Sequence, residues 1–313
     1  RGGARGLGEE FAAGRIGDLA ASGVQLKDGP GAGDPTQQSG SLKDGPGPQA
    51  PACSSRRGRT AWGQGEASRY RFSGNADGGN AENISGGLDT DLGNVTGRDC
   101  DRVAVGIFGY TSWSDLDFAN TSAVSENHGF GGYIRLSSAS GFYAALVGSW
   151  NWDDQKVVNK VIGSTANRER DGFSGVAIAG YNMPINVGAA LDFRGFVGYG
   201  SLDGGAFTDS AGFVISGSED DLVTVGGSVG FHVALNSYAQ TFVRSGVKWA
   251  KLDSSITAFG ITQSGSAEEV SGSVAAGLVI SATDGVQVGV SGFGEFSDSA
   301  DNYGARAHIN VNF

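Results

Sequence analysis

Apolar and polar residues alternate along the C-terminal segment, Ala305–Phe313. Apolar side chains occupy positions 305, 307, 309, 311 and 313, and polar ones occupy 306, 308, 310 and 312. Successive side chains of a β-strand point to opposite faces, so the pattern predicts a strand with one apolar and one polar face. The strand stops at an aromatic residue, Phe313. A closing strand of an outer-membrane barrel has this form, with its apolar face toward lipid.

Similar segments recur from about Thr60 to the end of the chain. In one of them, Val223, Val225 and Val229 share a face, while Ser228 and His232 lie on the other. The pattern predicts twelve strands, which are Thr60–Phe72, Ile84–Leu92, Arg102–Trp113, His128–Leu136, Phe142–Trp152, Gly172–Tyr181, Ala190–Ser201, Leu222–Leu235, Tyr238–Lys251, Val270–Ile280, Val286–Phe296 and Tyr303–Phe313.

The lengths of the gaps between these strands also alternate. Every second gap is short, and one of the short gaps, 182–186, holds Pro184, where a missing N–H would cost no ladder bond. The other gaps are long, polar and acidic, and they include 114–127, 153–171, 202–221 and 252–269. Short turns at one end and long loops at the other are typical of outer-membrane barrels. The sequence therefore predicts an all-β protein, a closed twelve-stranded antiparallel transmembrane β-barrel in which the strand near Trp62 pairs with the last strand.

Composition agrees with strands and argues against several other classes of protein. Glycine accounts for 55 of 313 residues and only 18% of residues are charged. No run approaches the roughly 18 apolar residues that a spanning helix needs, whereas a barrel strand needs only about 10 residues of alternating polarity. The net charge of −11 argues against a nucleic-acid partner, which requires a basic face.

The N-terminal segment, 1–58, is predicted to be separate from the barrel, 59–313. Five of the six prolines lie between Pro30 and Pro51, which indicates a linker. Upstream, Glu9–Ser22 has the spacing of a short helix. Because the chain begins at Arg1 without a signal peptide, we expect a processed or truncated product.

Several motifs in this order resemble the translocator (β) domain of autotransporters. They are Trp62-Gly63-Gln64-Gly65, Gly86-Gly87-Leu88-Asp89, Val105-Gly106-Ile107-Phe108-Gly109-Tyr110 and the terminal Phe313. The resemblance implies a twelve-stranded barrel of the bacterial outer membrane that helps to export an N-terminal passenger in type V secretion. Its implied partners are outer-membrane lipid, the barrel-assembly machinery, which would meet Phe313 as an assembly signal, and its own passenger segment. The family usually has a helix in the pore before the first strand, whereas here a proline-rich linker precedes Trp62.

Two other functions remain open at this point. One is a stand-alone outer-membrane channel, porin-like, in which the N-terminal segment is a plug. The other is an outer-membrane hydrolase, which would need Ser, His and a carboxylate to converge at one edge of the barrel.

The alternation predicts which charged side chains line the lumen. They are Arg102, Arg135, Asp192, Arg194, Arg244, Lys248, Glu295, Arg306 and His308. A solvated lumen with some ion pairs is the simpler interpretation, and a basic constriction that contacts the linker or selects anions is the other. A self-cleaving barrel would need an inward carboxylate, for which Asp192 or Glu295 would be suitable.

Catalytic and metal-binding chemistry is weakly supported. Residues 226–230 match G-x-S-x-G, but that motif requires a strand-to-helix elbow and this copy lies within a predicted strand. Histidine is scarce, and His232 and His308 are predicted to line the lumen. The remaining carboxylates of interest fall in predicted outer loops, where solubility explains them better than cation binding; they are Asp220, Asp221, Glu268, Glu269, Asp298 and Asp301. We predict no enzyme, no cofactor and no metal.

The two cysteines lie at what would be the periplasmic end. Cys53 precedes the first strand and Cys100 falls in the turn after the second. Because the periplasm oxidises thiols, a disulfide between them would tie the linker to the base of the barrel.

Overall fold

The computed structural model describes residues 58–72, 78–93, 101–138, 140–258, 261–283 and 285–313. The regular structure in these ranges consists of β-strands. They are β1 (Arg59–Phe72), β2 (Gly78–Gly93), β3 (Arg102–Asp117), β4 (Thr121–Ser137), β5 (Phe142–Asn159), β6 (Ser164–Asn186), β7 (Ala189–Gly204), β8 (Phe207–Thr208), β9 (Val214–Ala234), β10 (Ala239–Ala258), β11 (Ile261–Thr283), β12 (Val286–Ser297) and β13 (Ala300–Asn312).

The strands form one closed antiparallel sheet. Each long strand pairs with the next long strand along the chain, and the two-residue β8 is attached to β9 alone. Closure occurs where β1 pairs with β13, with Trp62 opposite Asn310. The predicted twelve-stranded barrel, closed by its first and last strands, is therefore confirmed. We call the end that carries Arg59 and Phe313 the terminal end and the opposite end the distal end.

The predicted long loops are wrong, because most of their residues continue the strands. Strand β6 has 23 residues instead of the predicted Gly172–Tyr181. Residues 114–117 and 121–127 extend β3 and β4, so that only 118–120 connect these two strands. Ladder hydrogen bonds join backbone groups and do not depend on apolar side chains. The strands can therefore continue beyond the point where their outward side chains become polar.

The position of Pro184 also differs from the prediction. It lies within β6 opposite Ala190, and the turn is 187–188. The register shifts between Pro184 and Asn186, which is the kind of irregularity that accommodates a residue lacking an N–H.

The outward face of the barrel is apolar over most of its height. Ile107, Leu146 and Val247 are 68%, 59% and 57% exposed. Toward the distal end the outward residues become charged, as where Trp152 is followed on the same face by Asp154. An apolar band of this kind around a closed barrel is suited to the hydrocarbon core of a bilayer. In the described ranges, no helix combines the length and the apolar character needed to cross a membrane.

The interior is not uniformly polar. Many polar side chains on the inner face are buried, including Asn151, Asp192 and His232. The inner wall from β5 to β10 also carries an apolar cluster. Its buried members are Tyr143, Ala145, Val176, Ile178, Leu202, Leu222, Ala250 and Leu252.

Inside the barrel, aromatic rings lie over glycines of the facing strand. Phe242 covers Gly277, where an added Cβ would lie 2.7 Å from the ring. We call such a directly opposed pair a clasp. The clasps with phenylalanine, tyrosine or tryptophan are Trp62–Gly87, Phe108–Gly131, Tyr110–Gly129, Tyr133–Gly106, Tyr143–Gly180, Phe196–Gly226, Phe242–Gly277 and Phe293–Gly304. Every one of them joins two strands that are connected at the distal end, so that each of the six distal hairpins has at least one clasp.

Candidate functional site in the barrel interior

The strand registers place the nine predicted lumen residues on the inner face. Arg102 and Arg135 lie on β3 and β4, and Asp192 and Arg194 lie on β7. The other five are on β10, β12 and β13, and they are Arg244, Lys248, Glu295, Arg306 and His308. Their placement follows from the two-residue period of a strand.

Asp192 is the centre of an ion-paired group near the terminal end. Its carboxylate is buried and accepts hydrogen bonds from Arg244 Nη2 at 2.9 Å and from Tyr143 Oη at 2.8 Å. Arg194 Nη2 lies 3.9 Å from the same carboxylate, and Arg194 Nε donates to Tyr143 Oη at 3.3 Å. We call Asp192, Arg194 and Arg244 the terminal triad, in which one carboxylate lies between two guanidinium groups.

Other inner charges pair across the wall at mid-height. Arg306 donates to Glu66 from Nε at 2.8 Å and from Nη2 at 2.6 Å. Lys248 forms an ion pair with Glu295, whose Oε1 also accepts from Ser271 at 2.6 Å. The two carboxylates considered for self-cleavage, Asp192 and Glu295, are thus both engaged by cations.

A second buried group was missed by the sequence analysis. Arg170 donates from Nε to Asp153 Oδ2 at 2.7 Å and from Nη1 to Asp220 Oδ2 at 3.1 Å. The side chains of Arg170, Asp153 and Asp220 are 0%, 0% and 1% exposed. We call them the distal triad, in which one guanidinium lies between two carboxylates. Ser254 Oγ donates to Asp220 Oδ1 at 2.7 Å, and Ser125 donates to Asp153.

The assignment of Asp220 to an outer loop is therefore wrong, as are those of Asp221, Glu268, Glu269 and Asp301. Asp220 and Asp221 lie in β9 and point to opposite faces, because neighbours in a strand alternate. Glu268 and Glu269 lie in β11, Asp301 lies in β13, and Asp298 lies in the short link before it.

On the exposed distal surface, a hydrogen bond from Lys251 lowers the pKa of Asp253 below its usual value. Within the described ranges, no group of three or more His, Cys, Asp or Glu residues could hold a metal ion.

The features considered for catalysis lie apart. Residues 226–230 lie inside β9, with Ser228 on the inner face opposite Gly246. His232 and His308 are on the inner face of β9 and β13. His128 is on the outer face of β4, with Nδ1 2.9 Å from Thr111 Oγ1. The G-x-S-x-G copy is therefore extended, without the sharp turn that presents a nucleophile.

A cavity of about 160 Å³ lies in the interior between these walls. Charged residues from several strands line it, including Arg194, Arg244, Lys248, Glu66 and Glu295. Phe196, Phe242 and Phe293 contribute rings. This cavity is thus bordered by both charged and apolar groups.

Several predictions fall on residues outside the described ranges. They concern the Glu9–Ser22 helix, the proline-rich linker and the Cys53–Cys100 disulfide. Phe313 is described, and it lies at the closing seam, where its N–H donates to the carbonyl oxygen of Arg59 at 2.9 Å.

A closed twelve-stranded barrel with an apolar outer band and a polar, ion-paired interior defines the class of outer-membrane β-barrels. The model of the autotransporter beta-domain family matches residues 61–292. The chain therefore belongs to the autotransporter beta-domain family. Its predicted location in the bacterial outer membrane and its predicted function as a translocator are confirmed.

Solved structures of similar fold are themselves autotransporter barrels. The beta domain of the Bordetella autotransporter BrkA is 15% identical, with a TM-score of 0.64 over 82% of this chain and 100% of that one. The translocator domain of NalP from Neisseria meningitidis is 14% identical, with a TM-score of 0.65 over 97% and 99%. The transport unit of AIDA-I from Escherichia coli is 11% identical, with a TM-score of 0.65 over the same shares. A sequence comparison with curated proteins found no match.

Proposed function

We propose that residues 59–313 form a non-catalytic outer-membrane anchor and conduit for a passenger at the N-terminal side, and that residues 1–58 connect the two. The distal end would face the cell exterior and the terminal end the periplasm. The apolar band would contact lipid, and the C-terminal strand with Phe313 would contact the barrel-assembly machinery.

The observation that carries this proposal is the pairing of the inner charges. Asp192, Glu66 and Glu295 are each bound by a cationic side chain of the wall. An unpaired wall charge would bind exported segments of opposite charge and retard them. Wall charges that are paired with one another offer a polar surface with less preference among sequences than isolated charges would, which suits a conduit.

The proposal is tested by fusing an epitope to the N-terminus of the full chain and expressing it in a Gram-negative host. We expect the epitope to reach the cell surface, where external protease removes it from intact cells. The control is the same fusion without Phe313, which we expect to lower both barrel assembly and surface exposure. A correctly folded barrel whose epitope stays protected in the periplasm would contradict export.

Conductance in planar bilayers separates the translocator from the stand-alone channel. If the barrel is a conduit that holds its own connecting segment, residues 1–58, the full chain should pass little ionic current. A large steady conductance of the full chain would favour the channel. The variant Ser228→Ala should export normally, whereas loss of export with an intact barrel would favour a catalytic function.

A further inference from the structure

The seam between β1 and β13 differs from the six distal hairpins in how its register is held. The clasps oppose a change of register, because a two-residue shift would place at least one clasp ring of every distal hairpin opposite a residue that has a side chain. At the seam, Gly63 has only the Ile309 side chain at 3.6 Å and a backbone oxygen nearby, and Gly65 has nothing within 4 Å. In the described ranges, the strands joined at the seam share no clasp.

Several outward residues of the seam are also small. The outward pairs Gly65–Ala307 and Ala67–Ala305 carry little side-chain volume, and on the inner face Ser68 is opposite Gly304. A shift of one residue would turn every side chain to the wrong face, but a shift of two residues would not. Packing of these small residues therefore discriminates poorly against a two-residue shift at this seam.

The Glu66–Arg306 pair is an ion-paired contact at the seam that depends on register. The two residues are directly opposite each other and the Glu66 side chain is 4% exposed. Both Nε and Nη2 of Arg306 donate to Glu66 Oε2. Arg306 also contacts β12, the strand on the other side of β13. Its guanidinium carbon lies 5.8 Å from the ring centre of Phe293, and the same ring forms the clasp with Gly304. A shift by two residues would place Glu66 opposite Gly304 or opposite His308.

Two other polar pairs at the seam discriminate less. Thr60 Oγ1 donates to Asn312 Oδ1 at 2.9 Å, but a two-residue shift in one direction brings another asparagine, Asn310, to the same place. Arg71 is opposite Asp301 at the exposed distal end, where an ion pair contributes little.

We propose that Glu66 and Arg306 are positioning residues that select the register in which the first and last strands close the barrel. Leaving one buried charge without its partner is costly, and a shifted seam would leave both. The clasps determine register within each distal hairpin. Among the joints of the described strands that have no clasp, the seam is the one whose strands are not consecutive in the chain, and this ion pair determines its register.

The test reports register directly by disulfide trapping in the full chain, in a background with Cys53→Ser and Cys100→Ser. The native register brings together Gln64→Cys and His308→Cys. The two shifted registers bring together Ser68→Cys with Asn302→Cys, and Gln64→Cys with Asn310→Cys. All these positions face the interior, and a pair two residues out of register is too far apart to bridge. The yield is measured on denaturing, non-reducing gels after oxidation of outer-membrane vesicles.

With the natural pair we expect the native cross-link and only background yields of the shifted ones. In Glu66→Gln/Arg306→Met, the native yield should fall and at least one shifted product should rise clearly above background. The exchange Glu66→Arg/Arg306→Glu should restore the native pattern. The matched control is Asp153→Asn/Arg170→Met/Asp220→Asn, which neutralises the whole distal triad at the clasped β5–β6 hairpin. There Gln155→Cys should still cross-link to Arg168→Cys and not to Ala166→Cys.

The proposal is overturned if the neutral pair still gives the native cross-link alone. The exchanged pair keeps the attraction between the two opposite charges and should therefore behave like the natural pair. The proposal is also overturned if the exchanged pair gives the same cross-links as the neutral pair, or if neither variant gives a folded, heat-modifiable barrel. Register shifts in the β5–β6 control would remove the claimed difference between the seam and the hairpins.

Discussion

The terminal and distal triads use the same chemistry in opposite proportions. The terminal triad has one carboxylate, Asp192, between Arg194 and Arg244, and the distal triad has one guanidinium, Arg170, between Asp153 and Asp220. Arg244 keeps 17% of its side chain exposed, whereas the members of the distal triad keep 1% or less. The difference indicates that the distal triad is closed to water more completely than the terminal triad.

The largest effect is expected from Arg170→Met. The substitution leaves two buried carboxylates facing each other without their cation, which should lower the free energy of unfolding by about 3–5 kcal/mol. Denaturant titration, followed by heat-modifiable mobility on gels, measures this loss. Adding Asp153→Asn and Asp220→Asn should recover much of the loss. Wild-type stability of the single variant would show that the distal triad is not buried as described.

A smaller loss is expected from Asp192→Asn in the terminal triad. Two guanidinium groups then lose their carboxylate, but water can reach the partly exposed Arg244 and compensate in part. We therefore expect the free energy of unfolding to fall by about 2–3 kcal/mol. The same titration compares it with Arg170→Met. Should Asp192→Asn be the more damaging of the two, the inferred order of water access would be reversed.

The smallest effect is expected from Asp154→Asn. Asp154 is next to Asp153 in β5 but faces outward and is exposed. Removing its charge should change the free energy of unfolding by less than about 0.5 kcal/mol. The matched substitution Asp153→Asn should be clearly more damaging, and similar losses at both positions would contradict the facing assigned to β5.

The two triads also differ in how visible they are in the sequence. The predicted strands included all three members of the terminal triad, because their outward neighbours, such as Leu191, Phe193 and Val243, are apolar and make the alternation evident. The outward neighbours of the distal triad include Asp154, Asp171 and Asp221. With both faces polar, the hydrophobic period disappears although the strand continues, so Asp153, Arg170 and Asp220 were assigned to loops.

The sequence by itself determined the class of fold, the number of barrel strands and the face of each strand that turns inward, because lipid outside and polar groups inside impose a two-residue period. It did not determine how far the strands extend past the apolar band, since backbone pairing there leaves no trace in side-chain polarity. Only the tertiary structure decided which inner charges meet. Arg170 contacts Asp220 across the intervening strand β7, and Arg306 contacts Glu66 because closure of the sheet pairs β13 with β1. No local pattern along the chain encodes either contact.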